Sequence, residues 1–508
     1  MRNTVCLLFA AFCFAAGALA AVAGVSAESF IRQRLSPQPK ELEIFEGMYV
    51  LDGDSAVHIS VSSPLSDSQK LAVADIFRRY WRLSPALEFS EDAANANLGP
   101  EGSETEISSG GIKIRARDFS ALRQALKTLR QFAEAERDGP GQVFALAKIR
   151  DFASLEFRGI HLCVFPETTL EELEKYVRLA EYYKFNYVVI EPWGVFPFES
   201  HPEFAYADRK IDRKGFKKII DYCRGAGIVP IPQLSVLGHG SQSRHLSGKH
   251  AVLAAHPELA NIYEPLGWCY CMSSERAGKI LKDLVSELHE FYGNPPYFHI
   301  GCDEAYDMAT CYKCRAQNPA SLFVGHLDKF RKFLRSRGAR PIIWHDMLLD
   351  REDPRWAGEV ASGTRDTAKA LGALGKDIVI ADWQYGGAEN GGGFNTPKHF
   401  KEAGFDVLVC PWESDSGISA LAKTAKDEKL FGFLQTTWHH IYGNKRYASF
   451  FRRAGDAAWN GGRPPAGGKF ADSALTLIPE LSHVAGDMKA SYSAAGTSLS
   501  QISKSISD

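Results

Sequence analysis

From Phe157 to Trp459 the chain alternates, eight times over, a short apolar segment with a longer amphipathic one, and few folds can absorb that rhythm. The apolar segments span 157–164, 187–193, 228–234, 297–304, 340–346, 377–383, 406–412 and 430–438. The amphipathic ones span 170–184, 213–226, 275–292, 322–337, 365–374, 397–403, 418–429 and 447–459. Segments apolar on both faces that alternate with helices predict parallel strands buried beneath those helices. Eight such units within about 300 residues predict a (β/α)8 TIM barrel. An open doubly wound sheet is the alternative, but no glycine-rich phosphate turn follows the first strand, so that fold would lack its usual ligand site.

A barrel of this kind carries its active site at the C-terminal ends of its strands. Here those ends are heavily decorated: Glu191-Pro192-Trp193 on the second strand, Asp303-Glu304 on the fourth and Trp344-His345-Asp346 on the fifth. Asp382-Trp383-Gln384-Tyr385, Pro411-Trp412-Glu413 and Trp438-His439-His440 end the sixth, seventh and eighth. Tryptophans at five strand ends either pack the barrel top or wall one mouth. An aromatic bowl edged with carboxylates offers a sugar ring apolar faces to stack on and acceptors for its hydroxyls. Side chains alternate along a strand, so Asp303 and Glu304 reach one pocket only if the strand breaks, which Gly301 permits. Two close carboxylates cannot both ionise easily; one is pushed to keep a proton for acid catalysis while the other stays charged. An acidic pair is also favourable simply as the start of a helix.

With Phe298-His299-Ile300-Gly301-Cys302-Asp303-Glu304 on the fourth strand, the chain resembles the family 20 glycoside hydrolases, the β-N-acetylhexosaminidases, whose signature there is His-x-Gly-Gly-Asp-Glu. Cys302 in place of the second glycine, Phe196-Pro197-Phe198-Glu199, Gly238-His239 and Trp344-His345-Asp346-Met347 are similar to the hexosaminidase D branch. The resemblance implies an exo-acting enzyme on terminal amino-sugar glycans, with no cofactor. Glu304 would be the general acid/base. Asp303 would hold the 2-acetamido group while its carbonyl oxygen attacks the anomeric carbon, an exception to the usual two-carboxylate scheme. Arg158 matches an arginine that binds sugar hydroxyls, Trp438 a wall of the acetamide pocket, and His239 a histidine near the acid. Glu191, Trp344, Asp346, Trp383, Tyr385 and Trp412 are further candidates for substrate contact from their places at strand ends.

The chain also departs from the family pattern. Cys163 stands where an aspartate is usual at the end of the first strand, and Glu191-Pro192-Trp193 where His-x-x-Asp-Asp is usual after the second. Tyr385 is the candidate substitute for the acetamide-binding tyrosine, and His439 or His440 stands in place of a glutamate. A glycosidase of non-acetylated sugars, with Glu191, Asp346 or Glu413 as second carboxylate, and a non-catalytic glycan-binding protein are the rivals.

The flanks complete the organisation. Met1 to Thr4, an apolar run over 5–25 and Val25-Ser26-Ala27 predict a signal peptide over residues 1–27 and an exported protein, with no membrane span once it is removed; an uncleaved anchor is the alternative, since the run is long enough to span a bilayer. Residues 28–150 read as a small α/β domain, with 91–110 as a surface loop, 151–460 as the barrel, and 461–508 as a Gly/Pro linker, a helix near 475–488 and a Ser-rich tail. A net charge of −2 over 508 residues offers nothing to a polyanion, so nucleic acid is not an expected partner. Cys269 and Cys271 follow the third strand and Cys311 and Cys314 the fourth. Four thiols on one face leave open two disulfides, as export favours, a structural zinc, or free thiols.

Overall fold

The computed structural model describes residues 31–32, 35–135, 139–205, 210–241, 252–385, 394–438 and 447–462. The expected signal peptide, His439, His440, and the linker, helix and tail from 463 onward lie outside the described residues. The chain folds as two units divided between Ser154 and Leu155.

The first unit is a mixed sheet in the order Glu41–Leu51, Gln142–Asp151, Ser103–Ser108, Gly111–Ala116, Ala56–Val61 and Ala86–Glu91. Helices Asp67–Trp81 and Phe119–Phe132 bury Val73, Phe77, Leu122, Leu126 and Leu129 in its core. The stretch 91–110 is not the surface loop expected from its polar composition. It holds a 3-10 turn, Ala93–Leu98, and the strand Ser103–Ser108, whose inward residues are Ser103, Thr105 and Ile107. Two of those three are polar, so the period-2 alternation was hidden.

The second unit is the expected barrel. Its strands are β1 (Phe157–Val164), β2 (Tyr187–Pro192), β3 (Val229–Pro232), β4 (Tyr297–His299), β5 (Arg340–Trp344), β6 (Val379–Trp383), β7 (Asp406–Cys410) and β8 (Gly432–Gln435). They pair in parallel in the order β3, β2, β1, β8, β7, β6, β5, β4. Between β3 and β4 the circle closes through a bridge from Gln233 to His299 and through Leu234 N–H to His299 O (3.0 Å) and Val236 N–H to Ile300 O (3.0 Å). Phe157, stacked on Tyr187 at 3.9 Å and edged by Tyr297 and Phe431, plugs the N-terminal end. Val189, Ile231, Ile342, Val379, Leu408 and Leu434 fill the barrel with it.

Several strands are shorter than their apolar runs, because past the last ladder bond the chain turns into the mouth while staying buried. Helix starts follow their caps. Pro319–Arg335 begins three residues before the expected 322 because Asn318 caps Ser321 N–H and Pro319 occupies the first turn. Asp415–Asp427 likewise begins at its cap, Ser414.

Candidate active site

The acid pair is shaped by backbone more than by strand. β4 stops at His299, and Gly301 (φ 64°) turns the chain against Ser235, whose Cβ would lie 2.7 Å from any Cβ placed there. Cys302 (φ 75°) and Glu304 (φ 48°) then take left-handed conformations that cost a side-chain-bearing residue energy. His239 (φ 55°) and Trp438 (φ 48°) do the same around this mouth. Such outliers persist where surrounding structure overrides them, often at functional sites. The consequence is that the two neighbouring acids leave the chain at different depths. The Asp303 side chain is 9% exposed and that of Glu304 33%.

His239 lies against both, its Nε2 3.2 Å from Asp303 Oδ2 and 3.4 Å from Glu304 Oε2. It is brought there by Gly238, where a Cβ would sit 2.1 Å from the Asp303 carbonyl oxygen. The Tyr306 hydroxyl donates to Glu304 Oε1 (2.8 Å), and the Trp268 indole N–H donates to the Glu304 carbonyl (2.6 Å). Burial works to raise the Glu304 carboxyl, but His239 and Tyr306 together outweigh it and hold the group below the usual range. In the free chain, therefore, Glu304 is not pushed to keep a proton. Asp346, fully buried, accepts the Glu304 backbone N–H at Oδ2 (3.0 Å), and burial, then the charge of Asp303, pushes its carboxyl up to about 6. That corrects its expected role as a substrate contact: Asp346 stands behind the pair and fixes the Glu304 backbone.

Aromatic residues line the other side. Trp344 is buried beneath the mouth between His299 (4.3 Å) and Trp438 (5.1 Å) rather than exposed in the bowl. The Trp438 indole N–H donates to the Tyr385 hydroxyl. Tyr385 in turn rests against Trp383 (5.2 Å) and Trp412 (5.1 Å), and burial first holds its phenol well above the usual range, with Asp303 among the nearby charges. Trp193 leaves this group and packs on Phe165 (5.1 Å) near His239 (5.9 Å).

Two further expectations are corrected. Arg158 does not reach a sugar. It belongs to the opposite end of β1, beside the Phe157 plug, buried, with its guanidinium donating to the carbonyls of Lys184 (3.2 Å), Leu155 (2.8 Å) and Glu156 (3.3 Å) and lying over Trp459. A match of residue type at a strand start could not show that its side chain points outward. Glu191 is buried beneath the mouth, 3.5 Å from His161 Nε2 and 3.9 Å from Cys163 Sγ. Its partner His161 meets the rings of Trp344 and Trp438 (5.6 and 5.2 Å), and burial followed by His161 holds the His299 imidazole well below its usual range.

Among the thiols, Cys269 is parted from the other three. Its N–H donates to Asp307 Oδ1 (2.9 Å), while Cys271, Cys311 and Cys314 gather with Glu264. Trp268 and Tyr306, with ring centroids 6.2 Å apart and Trp268 over His239 at 4.5 Å, are site residues the sequence reading missed. Both lie in loops after strand ends, and the rule that such loops build a barrel's site was the available signal.

Residues 203–450 match the catalytic domain of glycosyl hydrolase family 20. Hexosaminidase D of Bos taurus is 25% identical over 181 residues, which are 34% of this chain and 50% of that protein. A β-hexosaminidase of Akkermansia muciniphila is 23% identical over 341 residues, 59% of this chain and 65% of that one. The chain thus spans between a half and two thirds of these curated relatives. Among solved structures, an exo-β-N-acetylglucosaminidase of Vibrio harveyi in complex with N-acetylglucosamine superimposes with a TM-score of 0.65 at 16% identity, covering 90% of this chain and 78% of that one. At that identity the likeness is one of fold.

Proposed function

The barrel of this chain belongs to glycoside hydrolase family 20, and from that premise we propose that the protein is an exo-acting, retaining β-N-acetylhexosaminidase that removes terminal β-linked GlcNAc or GalNAc by substrate-assisted catalysis. The observation that carries this is the split of the acid pair: Asp303 deep against His239, Glu304 higher and more open. Adjacent acids at two depths can serve two atoms of one sugar ring.

In this mechanism the acetamide enters between Asp303 and the Trp438–Tyr385 pair, with Tyr385 O–H available to its carbonyl oxygen. Asp303 accepts the acetamide N–H, so the carbonyl oxygen is aimed at the anomeric carbon. As that C–O bond forms, Glu304 gives its proton to the departing glycosidic oxygen. The cyclic oxazolinium-like intermediate carries positive charge, which Asp303 offsets. Glu304, now a carboxylate, takes a proton from water, whose oxygen opens the ring with net retention. The free chain favours ionised Glu304. A bound sugar excludes water from the mouth and raises the affinity of Glu304 for its proton.

The test is hydrolysis of aryl β-GlcNAc, β-GalNAc and their non-acetylated counterparts by wild type, Asp303→Asn and Glu304→Gln. Turnover confined to acetamido sugars, a loss of roughly 10²–10³ in Asp303→Asn, and a Glu304→Gln defect concentrated on poor leaving groups are expected. Turnover of non-acetylated sugars with Asp303→Asn intact would shift the reaction to another carboxylate. The apolar run ahead of Ala27 supports an exported protein; a mature N-terminus beginning after Ala27 is the expected result of sequencing the secreted chain.

A further inference from the structure

Beside the mouth, the loop after β3 meets the loop that carries Glu304 at a cluster of sulfur. Cys271 Sγ lies 3.5 Å from Cys311 Sγ and 3.6 Å from Cys314 Sγ, and all three residues are buried. Glu264 joins them, with one potential ligand atom from each of the four within 4.8 Å of every other. We propose that Glu264, Cys271, Cys311 and Cys314 form a tetrahedral structural zinc site that ties the loop bearing the acid pair to the loop after β3.

The spacing separates this from a disulfide. Zinc bound to thiolates at about 2.3 Å in a tetrahedron holds its sulfurs about 3.8 Å apart, whereas a disulfide brings two of them to about 2.05 Å. The observed separations lie near the first value. The count points the same way. Three thiols cannot all pair, and one disulfide would leave a thiol and a carboxylate together in the interior.

Glu264 supplies an independent observation. Its Oε2 accepts the N–H groups of Thr310 (3.0 Å) and Cys311 (2.6 Å), while its Oε1 is buried and has no hydrogen-bond partner. A bare carboxylate oxygen costs several kcal/mol in such surroundings; a cation satisfies it. The two N–H donors orient the carboxylate in the way supporting groups usually fix a metal ligand. Cys311 and Cys314 sit on one turn, closed by Cys314 N–H to Cys311 O (3.1 Å), at the Cys-x-x-Cys spacing of structural zinc sites. Ser273 Oγ lies 3.2 Å from Cys314 Sγ. Cys269 is held away by Asp307, so the site is three thiolates and a carboxylate rather than four thiolates.

The test begins with metal analysis of the full wild-type chain, where about one zinc per chain is expected. Exchange of that zinc for cobalt should give a thiolate-to-cobalt charge-transfer band in the near ultraviolet. Chelation under denaturing conditions should release the metal and free three further thiols to a colorimetric reagent. Cys314→Ser and Glu264→Gln should each lower zinc retention during dialysis, the cysteine variant more. Should either variant fail to fold, the wild-type measurements still decide. A metal-free chain that takes up no zinc or cobalt, or an intact mass showing a disulfide among these three cysteines, would overturn the assignment. Neither outcome bears on Asp303 and Glu304, so this proposal and the proposed reaction can fail separately.

Discussion

Replacing Asp346 with asparagine should stabilise the barrel at neutral pH while leaving it almost unchanged in acid. Asp346 is fully buried, and its carboxyl is pushed from 3.8 up to about 6. A shift of about two units corresponds to roughly 3 kcal/mol between the two protonation states. The sign follows from which state binds more protons. Between the unfolded value and the folded value of about 6, the folded chain holds the Asp346 proton and the unfolded chain has lost it. Stability therefore falls as pH rises through that window and levels off above it. Asparagine keeps an acceptor for the Glu304 N–H and has no proton to lose. The stability of Asp346→Asn minus that of wild type should then grow by about 2 kcal/mol between about pH 4.5 and about pH 7.5. Urea unfolding followed by tryptophan fluorescence, which reports the barrel's many indoles, measures it at both values. Any constant effect of the amide cancels in the comparison. A difference independent of pH, or one that shrinks as pH rises, would refute the placement of a desolvated carboxyl behind the acid pair.

Arg158→Met should cost about 2–4 kcal/mol of stability by stripping two buried carbonyls and a part-buried one of their donor, while the KM of the protein that still folds stays unchanged; a raised KM would restore Arg158 to the sugar. His239→Gln removes the group that holds Glu304 low, so the alkaline limb of the kcat/KM profile should move upward as the maximal rate falls, and a limb that stays put would separate His239 from the acid. Tyr385→Phe leaves the Trp438 indole N–H without its acceptor and takes a hydroxyl from the aromatic side. A several-fold rise in KM for acetamido sugars is expected, from a lost hydrogen bond of about 1 kcal/mol, and an unchanged KM would place the acetamide elsewhere.

The barrel was legible because its strands are buried on both faces and its helices on one, which prints two different periods into the sequence. Asp303 and Glu304 were legible as a pair because a glycine precedes them at a strand end. Their difference in depth was not, since it depends on left-handed backbone at Cys302 and Glu304 that neither residue type signals. Cys302 makes the point from the other direction: its φ of 75° is one that glycine adopts freely, which is physically why a glycine suits that position in the signature it resembles. Arg158 and Glu191 were misplaced for a shared reason. A strand position names a register, but which way a side chain turns and how deep it lies are settled by neighbours distant in sequence, here Lys184 and Trp459 for one and His161 for the other. Trp268 and Tyr306 were missed because loops carry no period.

The join between β3 and β4 lies directly beneath Asp303 and Glu304, and it is made by Gln233, Leu234, Val236, His299 and Ile300 with little regular ladder. A circle of strands opens where fewest rungs span it. Brief breathing of this barrel should therefore begin under the acid pair, letting solvent reach Leu234 and Val236 amides sooner than those of β1 or β7. Slow deuterium uptake at β1 and β7 with faster uptake at this join would mark it as the part of the barrel that opens first.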